Sequence, residues 1–245
     1  MAIEVFNRYE HKYLIDKKTY KKVIEVMDKH MQLDKYNKNH EPYTIANIYY
    51  DTPDDYLIRT SLEKPAYKEK LRLRAYDIPG PDSLVYLEIK KKFNGIVNKR
   101  RSSLTLPEAY DFVKTGEIPH IKDYMNKQVL KEIAYFLSFY ELYPKLYLSY
   151  DRIAYFENGN PDLRVSFDRN IRSRRYDVLL EKGTYGKKLL DDSLYLMEIK
   201  TSVAKPLWIS DMLNELGIKR SSFSKYGTEF AGHIKKENSE LPIAI

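Results

Sequence analysis

The stretch that decides the fold is 67-YKEKLRLRAYDIPGPDSLVYLEIKKK-92. Both of its ends alternate between charged and apolar residues, and Pro79-Gly80-Pro81 between them marks a turn. It reads as two antiparallel strands, 67–77 and 83–92. Successive side chains of a strand point to opposite faces. Lys70, Arg72 and Arg74 therefore share one face, and Leu71, Leu73 and Ala75 the other. In the partner strand Glu88, Lys90 and Lys92 oppose Val85, Leu87 and Ile89.

The same alternation runs outward through the chain. Arg8, Glu10 and Lys12 share a face, as do Lys99 and Arg101, Tyr150 and Arg152, and Arg164, Ser166 and Asp168. Leu196, Glu198 and Lys200 oppose Met197 and Ile199. Further period-two segments lie at 3–15, 43–51, 96–106, 145–156, 162–170, 173–182 and 193–201. Helical spacing follows Asp16, a candidate N-cap, through Tyr20, Val23, Ile24 and Met27. A short helix opens at Pro107 and ends at Gly116, another covers 122–141, and a last one covers 208–217. Many strands of similar length with few helices predict an antiparallel α+β protein with a closed or nearly closed sheet. No linker divides the chain, so residues 1–245 are expected to form one domain with a loose tail from about 235.

Composition narrows the function. The chain has 245 residues, 43% of them hydrophobic, which suits a globular fold. It has no cysteine, which excludes a disulfide scaffold, a thiolate nucleophile and a Cys-ligated metal. No apolar leader opens the sequence and no window of 18 apolar residues occurs, so the expectation is a cytoplasmic chain without a membrane span. No P-loop and no G-x-G-x-x-G motif is present. The five histidines show no ligand spacing, and His11 has the parity opposite to Lys12. The clusters Arg172, Arg174, Arg175 and Lys219, Arg220 read as solvated charged faces or as outer contacts for a polyanion.

A net charge of +7 points towards a polyanionic partner. A sheet with one wet face also alternates charge. Here, however, six or seven strands each bring cations to the same face, and like charges opposed across strands are destabilising. In a closed sheet these residues line a basic lumen, suited to a multiply charged anion held by charge-assisted bonds. A triphosphate travels with a divalent cation that takes carboxylate and phosphate oxygens. Glu198 is the first candidate ligand, with Glu88 and Glu10 behind it, and each is alternatively an ion-pair partner of a lumen cation.

The segments RYEHKYLI (8–15), YYDTPDD (49–55), SLEKPAYKEKLRLRAY (61–76), LEIKKKFNGIVNKRR (87–101), SYDRIAYF (149–156), LRVSFDRNI (163–171), LMEIK (196–200) and SSFSKYG (221–227) resemble the VTC domain. That domain is the polyphosphate polymerase domain of the vacuolar transporter chaperone, among the CYTH-like triphosphate tunnel metalloenzymes. The resemblance runs in order over about residues 4–230. It implies an eight-stranded antiparallel β-tunnel with helices outside, binding ATP, triphosphate or polyphosphate with Mn²⁺ or Mg²⁺. It assigns phosphate binding to Lys12, Arg72, Arg74, Lys90, Lys99, Arg101, Arg152 and Arg164, metal ligation to Glu198, and a place near the tunnel mouth to Lys225. Tunnel enzymes with E-x-E-x-K at the start differ from the Arg8, Glu10, Lys12 of this chain, which favours the VTC branch and leaves fewer acidic ligands.

The expectation is a metal-dependent polyphosphate polymerase. Lys12, Arg72, Arg74, Lys90, Arg152 and Arg164 hold the ATP triphosphate, and Glu198, with Glu10, holds the metal. Lys70, Glu88, Lys99, Arg101, Lys200, Lys225 and Tyr150 complete the substrate site. The rivals are a triphosphate or polyphosphate hydrolase in the same tunnel and a non-catalytic polyanion-binding module. A lumen too narrow for a duplex argues against nucleic acid. A membrane link would require a membrane-protein partner.

Overall fold

In the computed structural model, residues 9–94, 96–157 and 159–240 are described. In chain order they form β1 (Tyr9–Asp16), α1 (Lys17–His30), β2 (Met31–Leu33), β3 (Tyr43–Asp51), α2 (Tyr56–Leu62), β4 (Tyr67–Tyr76), β5 (Leu84–Phe93) and β6 (Ile96–Thr105). There follow α3 (Leu106–Thr115), α4 (Lys127–Phe139), β7 (Tyr143–Glu157), β8 (Asn160–Arg174), β9 (Lys187–Lys188), β10 (Leu194–Thr201), α5 (Leu207–Glu215), β11 (Arg220–Ser221) and α6 (Lys225–Glu240). The eight long strands form one antiparallel ladder in the order β1-β10-β8-β7-β3-β4-β5-β6, and β2, β9 and β11 are short additions. Side chains of the two end strands and of those between them line one cavity, the expected tunnel.

Alternation builds the layers. The outward residues Leu71, Leu73, Val85, Leu87, Ile89 and Leu104 are fully buried under α3 and α4, through Phe112, Val129, Leu130, Ile133 and Phe136. On the other flank Tyr13, Val165, Phe167, Met197 and Ile199 pack under α1 and α5, through Val23, Met27, Ile209 and Met212. A third cluster uses the inward parity of β3, β7 and β10 (Ile45, Tyr49, Leu148, Tyr150, Leu196). It is met by Ile58 of α2 and by Tyr226 and Phe230 of α6.

Local signals hold where predicted. The Thr19 N–H donates to Asp16 Oδ1 at 2.6 Å, opening α1. Gly116 ends α3 at φ 75°, the left-handed region that glycine adopts without a Cβ penalty. Several expectations need correction. The strand expected over 173–182 goes no further than Arg174, where β8 ends. The Arg174 guanidinium donates to the carbonyls of Asp177, Leu179, Gly183 and Tyr185, and the chain wraps around it. The helix expected over 122–141 is Lys127–Phe139, because the Asn126 side chain caps it by accepting the Val129 N–H at 3.1 Å. The helix at 208–217 is α5, and it is not the last. Residues 235–240, part of the tail expected to be loose, are helical in continuation of α6. Arg8 and the rest of 3–8 lie outside the described residues, as do 241–245.

Candidate active site

The cavity has a volume of about 1990 Å³. Of the fifteen residues singled out from the sequence, fourteen line it: Glu10, Lys12, Lys70, Arg72, Arg74, Lys90, Lys99, Arg101, Tyr150, Arg152, Arg164, Glu198, Lys200 and Lys225. Register explains the convergence. Arg72 lies opposite Glu88, Lys70 opposite Lys90, and Lys90 opposite Lys99. Lys12 lies opposite Glu198, Glu198 opposite Ser166, and Arg152 opposite Asp168.

The remaining residue, Glu88, sits beneath the wall at 1% exposure. Its carboxylate accepts from Arg72 Nε at 2.6 Å and from Lys99 Nζ at 3.2 Å, with Arg74 Nη1 at 3.9 Å. Burial alone would raise its pKa, but Arg72, Arg74 and Lys99 outweigh it and hold the carboxyl well below its usual range. Glu88 therefore organises cations and is not on the cavity surface. Asp168 does the same on the opposite wall. It accepts from Arg152 Nε and Nη2 at 2.6 and 2.8 Å and from Lys225 Nζ at 2.5 Å. Against burial, Arg152 and Lys225 bring it down to about 2.

Further groups, uncharged for Arg72 and Arg74 and a carboxylate for Arg164, aim the remaining guanidinium donors. Arg74 Nε donates to Asn47 Oδ1 at 3.1 Å and its Nη2 to the Tyr150 hydroxyl at 3.3 Å. Arg72 Nη1 donates to the Tyr49 hydroxyl at 3.3 Å. Arg164 Nη2 meets Asp34 Oδ2 at 3.2 Å, while its buried Nε has no hydrogen-bond partner among the described residues. Crowded cations strain the wall. Burial, then Arg74 and Arg72, lower Lys99 to about 7 despite Glu88. Burial and the neighbouring Lys68, Lys90 and Lys12 lower Lys70 to about 8. Tyr150 falls to about 8, because Arg74, Arg152 and Lys225 overcome its burial.

Two wall carboxylates face the lumen. Glu198 meets Lys200 Nζ at 2.6 Å. Glu10 meets Lys12 Nζ at 3.3 Å and Lys90 Nζ at 3.6 Å. Both carboxyls lie below their usual range: burial opposes this in each, the Glu198 charge adds to the opposition at Glu10, and the surrounding lysines prevail. Among the described residues no three acidic or histidine side chains form a metal cage. Two carboxylates on adjacent strands do fit a Mg²⁺ or Mn²⁺ that takes its remaining ligands from substrate phosphates and water.

Asp168, Asn47, Tyr49 and Asp34 were not singled out by sequence as site residues. Asp168 was placed on the correct face, but a lone carboxylate carries no signal of the two cations that converge on it. Lys68 and Lys92 also line the cavity, by the same parity as Lys70 and Lys90. The arginines expected as solvated faces are engaged instead. Arg172 pairs with Asp151 and Arg175 with Glu229, each at 2.9 Å, and Arg174 is 3% exposed among its carbonyls.

Comparison with known proteins agrees with this geometry. The family model described as the VTC domain matches residues 7–233. No curated protein sequence is a significant match. Among solved structures, a candidate adenylate cyclase from Bacillus halodurans superposes with a TM-score of 0.55 at 15% identity, covering 91% of this chain and 96% of that one. A candidate adenylyl cyclase from Hippeastrum, described as having a dominant triphosphatase activity, gives 0.50 at 14% identity, covering 91% and 95%. At such identities the likeness is one of fold.

Proposed function

The chain belongs to the VTC-domain family, and from that premise we propose that it is a metal-dependent polyphosphate polymerase that moves the γ-phosphoryl group of ATP onto a growing polyphosphate chain. One observation favours transfer to phosphate over transfer to water. Both lumen carboxylates are paired with lysines and held below their ordinary range, so neither is a good general base for activating water. The terminal phosphate of a polyphosphate chain is already ionised and needs no base. Its oxygen attacks the γ-phosphorus, the bond from that phosphorus to the β–γ bridging oxygen breaks, and ADP leaves with the electron pair.

The protein's part is positioning and charge. Arg72, Arg74 and Arg152 present donors from anchored guanidinium groups, and Lys12, Lys90 and Arg164 close on the remaining oxygens. A divalent cation held by Glu198 and Glu10 would neutralise charge on the bridging and terminal oxygens.

The test is to incubate the purified protein with ATP and Mn²⁺, resolving polyphosphate on a stained gel and assaying ADP and free phosphate in parallel. The expected result is a ladder with matching ADP, lost in Glu198→Gln and reduced in Lys90→Ala. Free phosphate without polymer would replace this reading with a hydrolase. Binding of tripolyphosphate without turnover, unchanged in Glu198→Gln, would replace it with a binding module.

A further inference from the structure

One rim of the cavity is built from tyrosine. Tyr36, Tyr43, Tyr76 and Tyr86 all line it. Tyr36 is 65% exposed and Tyr76 43%. Their rings are nearly parallel, 17° apart, with centroids 6.5 Å from each other. Tyr43 lies 5.9 Å from Tyr76 and 6.2 Å from Tyr36, and Tyr86 meets Tyr76 edge-on at 5.7 Å. Tyr36 and Tyr76 are exposed and belong to none of the three apolar clusters, while Tyr43 packs against the third.

The array adjoins the phosphate-binding cations. Arg101 lies over the Tyr86 ring at 4.6 Å, and Tyr86 is the register partner of Arg74. Tyr43 is the register partner of Arg152, and the charges of Arg152 and Arg164 both act on its hydroxyl. A ligand with its anionic end on Arg74, Arg152 and Arg164 thus has tyrosine faces immediately beyond it, at the solvent side. Inorganic polyphosphate has nothing to place there. A nucleoside triphosphate has a flat base.

We infer that the Tyr36–Tyr76 pair, flanked by Tyr43 and Tyr86, is a stacking site for the nucleobase of the donor nucleotide. This rests on the reading of the cavity as a triphosphate site. It gives the wall two classes of ligand: phosphate oxygens on the cations and a π-face on the tyrosines. Stacking accepts any base, because every base has a π-face, so the site selects nucleotide over inorganic triphosphate more than adenine over guanine.

The test compares ATP, GTP and inorganic tripolyphosphate by calorimetry on the full chain, with Tyr36→Ala, Tyr76→Ala and Tyr76→Phe. Removing one ring is expected to weaken ATP and GTP by about 5- to 150-fold, the range of base-stacking losses on alanine substitution. Tripolyphosphate affinity should be unchanged, and Tyr76→Phe should retain nucleotide binding. Equal weakening of all three ligands, or unchanged nucleotide binding in both alanine variants, overturns the inference. The tripolyphosphate arm separates the two readings. If wild-type protein fails to bind tripolyphosphate, the triphosphate-site reading fails; if it binds and the alanine variants do not discriminate, only the stacking site fails.

Discussion

Replacing Glu88 by Gln removes one negative charge and almost no volume. The Gln carbonyl can still accept from Arg72 Nε, which lies 2.6 Å from the present carboxylate. What disappears is the counter-charge beneath Arg72, Arg74 and Lys99 at a site 1% exposed. Removing one partner of a buried ion pair costs about 3–5 kcal/mol, because the other charge stays buried and uncompensated. For a chain of this size that is a fall of about 6–20 °C in the melting temperature. Differential scanning calorimetry without ligand measures it. Two further results should follow. Adding Lys99→Met to Glu88→Gln should recover part of the loss, since one uncompensated cation is gone. Inorganic tripolyphosphate should raise the melting temperature of Glu88→Gln more than that of wild type, since the ligand supplies the missing charge. A change within about 2 °C, or strict additivity with Lys99→Met, would refute the assignment of Glu88 as the cations' buried anchor.

Two other perturbations read different parts of the structure. Free Lys99 and Lys70 titrate at about 7 and about 8, and a bound polyanion raises both. Binding therefore takes up protons, and tripolyphosphate affinity should fall as the pH climbs from about 8 to about 10, as calorimetry in buffers of unequal ionisation heat would show. An affinity that rises over that window would count against these lysines as ligands. Without ligand the sign reverses: the folded state binds fewer protons than the unfolded one between the folded and unfolded lysine values, so these two groups make stability rise with pH there. Arg174→Met strips donors from four carbonyls. Leaving even two of them unpaired costs about 2–6 kcal/mol, read as a lower urea midpoint, with tripolyphosphate affinity unchanged.

The strands and their cationic face were legible because period two is a backbone property and the charges follow it over many strands. A residue such as Arg72 announces its face by its neighbours Leu71 and Leu73. Asp168 announces a face as well, but its roles as partner of Arg152 and Lys225 depend on residues 16 and 57 positions away. Helix α2 was missed because it is short and is held by a contact from another strand. Buried Asp51, at the end of β3, accepts the Leu57 and Ile58 N–H groups at 2.8 and 3.0 Å and the Tyr226 hydroxyl at 3.0 Å. Arg174 misled the reading for the opposite reason. In sequence it belongs to a basic cluster, RSRR, that looks like a wet face, yet its charge is used on backbone carbonyls. Tyr36 carried no signal at all, since it approaches Tyr76 from a loop.

Two of the three apolar clusters lie outside the sheet wall, and the third enters the lumen, where its Tyr49 and Tyr150 meet Arg72 and Arg74. The two outer clusters and the cations thus occupy separate shells of the molecule. A substitution at Lys12, Lys90, Arg101 or Lys200 removes a charge from a wet surface and opens no void in a packed layer. The lumen is consequently a surface on which reactivity can be rewritten residue by residue while the outer layers keep the shape. The exceptions are Glu88, Asp168, Tyr49 and Tyr150, where packing and charge meet, and these positions tie the identity of the cations to the stability of the whole.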